Sequence, residues 1–166
     1  MSHSVTITRT TTTTSSTAII LNTGYLKTAG GLLKLFQTVL GAICIGLVAT
    51  YLKKSTLLTY GRTETLFFLL VVTAFFITTA LLLISCLASF MTASMLPKTI
   101  FEVIYHVVGF ALLLAAGIVF MVYIKDKERH YEYDVCLAAS IICLVNAALY
   151  LFSTILAFRT YRGAGL

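Results

Sequence analysis

From Leu66 to Phe90 the sequence contains no charged side chain and no proline. A helix of roughly 20 apolar residues is long enough to cross the hydrocarbon core of a bilayer, which is about 30 Å thick. A soluble helix of this length needs a polar face, whereas here apolar residues occupy every face. The segment is therefore predicted to span a membrane.

Three further segments have the same character: about Leu32 to Leu52, about Ile100 to Ile124, and Val135 to Phe158. Hydrophobic residues make up 59% of the 166 residues and charged residues 11%, a composition that a soluble domain of this size cannot bury. Strands of a membrane β-barrel would be about half as long and would alternate. Because the connections are short, sequential helices pack as antiparallel neighbours. The predicted fold class is all-α, an integral membrane four-helix bundle in up-down-up-down order.

Basic residues do not decide the orientation, because the spans divide them equally between the two sides of the membrane. One side has Arg9, Lys27, Lys34, Lys98, Arg159 and Arg162, and the other has Lys53, Lys54, Arg62, Lys125, Lys127 and Arg129. The N-terminus lacks the pattern of a cleaved signal peptide, which favours a cytosolic N-terminus. An even number of spans then places both termini in the cytosol.

The first residues of the chain are of low complexity. Every residue from Thr10 to Thr17 carries a hydroxyl group, and such a segment cannot form a core. Residues 1–24 are therefore predicted to be a disordered tail, residues 25–162 the membrane domain, and residues 163–166 a short C-terminal tail.

Glu102 and His106 are the ionisable residues of greatest interest, because they lie four positions apart on one face of the third span. Two interpretations are open. The spacing from Thr99 to Glu102, just after Pro97, fits a capping box in which Glu102 closes the start of the helix. Alternatively, ionisable groups inside a membrane form a proton or ion relay. The capping box is the favoured interpretation.

Lys34 and Gln37 lie three residues apart at the start of the first span. Lys34 is predicted to extend its ammonium group to the lipid headgroups, since a lysine can bury its methylene groups and keep its charge at the interface. Gln37 is predicted to form a hydrogen bond to another helix. Asn146, near the middle of the fourth span, is expected to do the same.

Small residues recur at four-residue spacing and are predicted to let helices approach closely within the bundle. They are Ala42 and Gly46 on the first span, Ala111 and Ala115 on the third, and Ala139, Cys143 and Ala147 on the fourth. Contacts between copies of the chain are the alternative. The four cysteines fall in or beside spans, so no structural disulfide is expected. No spacing of catalytic, cofactor or metal-binding residues is found, which argues against an enzyme.

The segment GYLKTAGGLLKLFQTVLGAICIGLV, with Gly31-Leu32-Leu33-Lys34 leading into the first span, resembles the MARVEL domain shared by MAL, plasmolipin and the chemokine-like factor group. The resemblance covers about residues 25–162, and the N-terminal leader resembles that of a family member of myoblast fusion. It implies a role in membrane apposition, vesicle trafficking or fusion at the plasma membrane or on vesicles, often in cholesterol-rich membrane. The implied partners are the bilayer, other membrane proteins and a second copy of the chain. Nucleic acid is not expected, because the basic residues are scattered.

A small transporter or channel subunit is the rival interpretation, with a polar path through Glu102, His106 and Asn146. The second span carries no charge, and few polar residues lie at depth in the membrane. Such a set is too small to line a pore. A non-enzymatic organiser of membrane contacts is therefore the favoured interpretation.

Overall fold

A computed structural model describes residues 21–54, 63–125 and 133–164. The helices are α1 (Ala29–Lys54), α2 (Thr63–Ala88), the short α3 (Phe90–Met95), α4 (Ile100–Lys125) and α5 (Tyr133–Ala164). Helices α1, α2, α4 and α5 are long and apolar enough to cross a membrane, which confirms the four predicted spans and the all-α class. The predicted second connection is itself structured, because α3 and a 3-10 turn at Leu96–Lys98 lead from α2 into α4.

The four spans surround a common core in the order α1, α2, α4, α5, and each span packs mainly against its two neighbours in this order. Helix α1 therefore lies diagonally opposite α4, and α2 lies diagonally opposite α5. One end of the bundle contains the start of α1, the end of α2, α3, the start of α4 and the end of α5. This end is called the terminal end below.

The core differs between the two halves of the bundle. Away from the terminal end it is mainly apolar, and there the rings of Phe68 and Phe120 stack with their centroids 4.4 Å apart. Toward the terminal end it contains most of the buried polar side chains: Lys34, Gln37, Thr79, Glu102, His106, Asn146 and Ser153. Most of the buried polar side chains of the described residues therefore lie in one half of the bundle.

A short segment before α1 packs onto the terminal end. The backbone N–H of Asn22 donates a hydrogen bond to the carbonyl of Leu87 at 2.7 Å, and Tyr25 is buried against Leu83 and Cys86. Asn22, which lies within the predicted disordered tail, is therefore buried and hydrogen-bonded to the end of α2. Residues 1–20 of that predicted tail lie outside the described residues, as do residues 126–132 between α4 and α5.

Helix α1 begins with a close approach that requires glycine. A Cβ atom at Gly31 would lie 2.1 Å from the carbonyl oxygen of Tyr25, which no larger residue could accommodate without moving the chain. The hydroxyl of Thr28 accepts a hydrogen bond from the N–H of Gly31 at 3.1 Å and so caps the helix. Cap and glycine together fix the turn that lays Tyr25 over the bundle.

Small residues contribute to packing at positions that differ in part from those expected. Ala139, Cys143 and Ala147 are buried on α5, but the other four predicted packing positions, Ala42, Gly46, Ala111 and Ala115, are exposed. Their assignment to packing within one chain is wrong. The close approach on α4 is made by Gly109 and Gly117 instead. Each exposed residue lies two positions from a buried one, about 200° around the helix, and therefore faces outward.

Candidate functional site

Lys34 of α1 forms a buried ion pair with Glu102 of α4 across one diagonal of the bundle. The ammonium group donates to Glu102 Oε1, and the two side chains are only 1% and 6% exposed. The prediction that Lys34 reaches the headgroups is therefore wrong. A charge inside a bundle is tolerated when an opposite charge compensates for its lost hydration, and Glu102 supplies that charge.

Glu102 does not form the predicted capping box. The hydroxyl of Thr99 donates to the carbonyl of Leu96 at 2.8 Å, and the Glu102 carboxylate turns to Lys34 instead of the helix start. The bond to Lys34 joins two opposite charges, whereas a capping bond would join the carboxylate to a neutral backbone N–H. In the same buried surroundings the bond to the lysine is the stronger of the two. The second carboxylate oxygen, Oε2, is buried and has no hydrogen-bond partner among the described residues.

His106 lies one turn deeper than Glu102 on α4 and is 1% exposed. Its Nε2 is 3.9 Å from Glu102 Oε1, which is longer than a hydrogen bond. The Nδ1 atom is buried without a hydrogen-bond partner among the described residues, and the ring meets the Tyr150 ring edge-on at 5.7 Å. The structure thus brings together three of the predicted polar residues: Lys34, Glu102 and His106.

Gln37 of α1 and Asn146 of α5 connect these two helices through hydrogen bonds. Gln37 Nε2 donates to Ser153 Oγ at 2.9 Å, and Asn146 Nδ2 donates to the backbone carbonyl of Gln37 at 3.4 Å. The side-chain carbonyl oxygens of Gln37 and Asn146 are buried without partners among the described residues. Asn146 is the deepest member of this polar group along α5.

A second polar group, missed by the sequence analysis, crosses the other diagonal of the bundle. The Thr79 hydroxyl donates to the carbonyl of Phe75 at 2.6 Å, so the hydroxyls of Tyr105 and Tyr150 both act as donors to Thr79 Oγ1. The Thr79–Tyr150 bond joins α2 to α5. No sequence signal distinguishes Thr79, because hydroxyl residues in spans commonly bond within their own helix, as Thr78 does to Ala74.

A cavity of about 260 Å³ lies at the terminal end, above the ion pair. Buried Lys34, Glu102, His106 and Ser153 line its inner part, and exposed Thr28 and Thr160 line its rim. Its walls are largely apolar and include Leu33, Pro97, Leu156 and Ala157. The described residues contain no group of three side chains that could hold a metal ion. The cavity therefore offers a small polar floor inside apolar walls.

Toward the other end of the bundle, few of the described residues bury a polar side chain. Beyond Asn146 the buried core is formed by residues such as Cys44, Leu113 and Ala116, and it remains mainly apolar to the stacked Phe68 and Phe120. Within the part of the chain that the structure describes, the polar path begins at the cavity and ends near mid-membrane. This arrangement can hold a small polar group or link helices, and it provides no polar route across the bilayer.

Comparison with known proteins agrees with this architecture. The family model named MARVEL, described as a membrane-associating domain, matches residues 25–156. No curated protein and no solved structure was found to match the chain. The matched range begins at the buried Tyr25 and includes the ion pair and Ser153. Since the match covers most of the sequence, the chain belongs to the MARVEL family of membrane-associating proteins.

Proposed function

We propose that the protein is a non-enzymatic organiser of membrane contacts that acts in membrane apposition, vesicle trafficking or cell–cell fusion. It is an integral protein of the plasma membrane or of vesicles, with both termini in the cytosol. The main support for the proposal is that polar side chains in the core bond the helices to one another. The Lys34–Glu102 and Thr79–Tyr150 bonds cross the two diagonals of the bundle. Because these side chains hold helices together, their arrangement favours a scaffold function for the protein.

The exterior of the spans supports the same role. Large apolar residues are exposed along all four spans, for example Leu70, Val122 and Phe152, so the bundle offers the lipid a continuous apolar surface. A transporter needs a polar route with binding sites from one side to the other. Among the described residues the core beyond Asn146 is mainly apolar, which favours the scaffold over the transporter.

The proposal is tested first in cells that express the chain. Depletion of the protein is expected to slow delivery of membrane cargo to the cell surface or to reduce cell–cell fusion, and re-expression of the native chain is expected to restore it. Delivery is measured by the appearance of a surface-tagged cargo, and fusion by mixing of cytosolic contents. Unchanged delivery and unchanged fusion after depletion would contradict the proposal.

Purified protein in liposomes tests the transporter alternative. Ion and proton flux is expected to equal that of empty vesicles. The double variant Lys34→Met with Glu102→Leu serves as the matched control, because it removes both ionisable groups together and leaves no unpaired charge. Flux above the empty-vesicle rate that disappears in this variant would favour transport through the ion pair.

A further inference from the structure

Three buried polar atoms of the cavity-lining residues have no hydrogen-bond partner among the described residues: Tyr25 Oη, Glu102 Oε2 and His106 Nδ1. Glu102 and His106 lie one turn apart on α4, and both are more than nine-tenths buried. Buried polar atoms in folded proteins are nearly always bonded to protein, water or ligand. The described residues do not supply a hydrogen-bond partner for these atoms. The inner part of the cavity therefore suits a hydrogen-bonding group from another molecule.

The charges around the cavity restrict what that group can be. Among the described residues that line it, the acidic and basic side chains other than His106 are Lys34 and Glu102, whose charges cancel. An anionic headgroup would face the carboxylate, and a cationic headgroup would face the ammonium group. A neutral group that both donates and accepts a hydrogen bond meets neither penalty, and a hydroxyl is the simplest such group.

The size and position of the cavity point to the end of a larger amphiphile. Its volume of about 260 Å³ lies just below the range of about 300–1,000 Å³ typical of sites that enclose a whole small molecule. The rim residues Thr28 and Thr160 lie at the terminal end, where the headgroups of one leaflet are expected. Apolar walls such as Leu33 and Leu156 suit the first methylene groups behind a polar end.

We propose that this cavity binds the free hydroxyl end of a neutral lipid, such as a diacylglycerol or a ceramide. The lipid hydroxyl donates to Glu102 Oε2 and accepts from Lys34 or His106, while its acyl chains remain in the bilayer. The last torsion angle of the Glu102 side chain has a broad distribution, so its carboxylate can rotate at little cost. This rotation points Oε2 toward the lipid. The inference is independent of the role in membrane contact proposed above.

The test compares a hydroxyl lipid with its methyl ether. The full-length protein is placed in nanodiscs containing dioleoylglycerol, the same lipid with a methyl ether at its hydroxyl, or a ceramide, and lipid retained after release from the nanodisc is measured by native mass spectrometry. Retention of dioleoylglycerol or ceramide is expected to exceed that of the ether about tenfold or more, because the ether cannot donate to the carboxylate. Whichever of dioleoylglycerol and ceramide is retained more strongly is the lipid class that supplies the hydroxyl.

Two glycine variants on α1 localise the binding. Gly30 lines the cavity and Gly46 faces outward, and a Cβ atom at either position would meet nothing within 4 Å. Gly30→Leu is expected to fill the cavity and to lower retention of the hydroxyl lipid about tenfold, whereas Gly46→Leu is expected to retain it as the native chain does. Equal retention of hydroxyl lipid and ether by the native protein would overturn the proposal. So would a cavity that holds water alone, or unchanged retention in a folded Gly30→Leu variant.

Discussion

Lys34 and Glu102 form an ion pair although they lie on helices that face each other across the bundle and are 68 residues apart in sequence. Neighbouring helices pack by many weak contacts, which tolerate small rotations and slides. A single buried pair across the diagonal tolerates neither, because either motion would leave two charges unpaired in an apolar medium. The pair therefore fixes the depth and the rotation of α1 relative to α4.

Replacing one residue of the ion pair should destabilise the protein far more than replacing both residues. Lys34→Met or Glu102→Leu alone leaves one buried charge and is expected to destabilise the protein by about 3–5 kcal/mol. The double variant leaves none and is expected to recover most of that loss, since apolar replacement of a buried pair is often neutral. Melting temperatures in detergent and cellular abundance of the three variants provide the measurement. A double variant as unstable as the two single variants together would show that the residues act independently.

Glycine at position 109 should be required where glycine at position 46 is not. A Cβ atom at Gly109 would lie 2.5 Å from the ring of Tyr150, whereas one at Gly46 would meet nothing within 4 Å. Gly109→Ala is therefore expected to cost about 1–3 kcal/mol, as overpacking of a tight contact does. Gly46→Ala should have no measurable destabilising effect. The comparison uses melting temperature in the same detergent, and a matching loss in both variants would place Gly46 in a packed interface between copies.

The bond between Thr79 and Tyr150 should contribute modestly to stability. Tyr150→Phe removes the donor and keeps the ring that packs against Phe75 and His106. The coupling energy between Tyr150→Phe and Thr79→Val in a double-mutant cycle is expected to be about 0.6 kcal/mol and at most about 1.7 kcal/mol, the average and the maximum for hydrogen bonds between membrane helices. Urea or detergent-titration unfolding measures it. A coupling energy of zero would mean that the two hydroxyls do not interact.

Alkaline pH should loosen the segment before α1. Burial, and next the neighbouring Cys86, raise the pKa of Tyr25 above its usual value of about 10. The folded state thus holds this proton more tightly than the unfolded state, so the stabilisation is complete below pH 10 and is lost as the pH rises toward the folded pKa. The loss is about 1.4 kcal/mol per pH unit above 10. Melting temperatures from pH 8 to 11 should fall more steeply for the native protein than for Tyr25→Phe; parallel curves would contradict this.

The orientation of the chain gives a prediction at the level of the cell. Tags placed after Met1 and after Leu166 should both be protected from protease added outside intact cells, while a tag within residues 125–134 should be cut. An even number of spans requires both termini on one side, and the cytosolic side is the proposed one. Opposite accessibility of the two terminal tags would exclude four spans. Cleavage of both terminal tags would invert the orientation and leave the fold unchanged.

The spans could be predicted from the sequence because their length and composition depend on the bilayer alone. The pairing of polar residues could not, since it depends on which helix faces which. The sequence predicts a headgroup position for Lys34, because an isolated first span offers its charge no better position. Once α4 lies opposite, a carboxylate at the same depth becomes available. One signal was present: a lysine and a glutamate of opposite charge at the same end of otherwise apolar spans.

The small residues show a second limit of the sequence. A four-residue spacing identifies residues that share a helix face, and it does not identify the face that is buried. On α4 the buried face contains Gly109 and Gly117, whereas Ala111 and Ala115, with the same spacing, face outward. The choice between the two faces is made by large partners such as Tyr150 and Leu144 on α5. These partners can be identified only after the neighbouring helix is known.

The sequence separation of the ion pair also sets an order of events during synthesis. Lys34 leaves the ribosome 68 residues before Glu102. At about 5–20 residues per second that interval lasts roughly 3–14 s. During this time the first span enters the membrane while the charge of Lys34 has no partner. We therefore expect α1 to remain at a shallow depth until the nascent α4 enters the membrane. Ribosomes stalled before Glu102 emerges should leave Lys34 open to a water-soluble amine reagent, and ribosomes stalled after residue 166 should not.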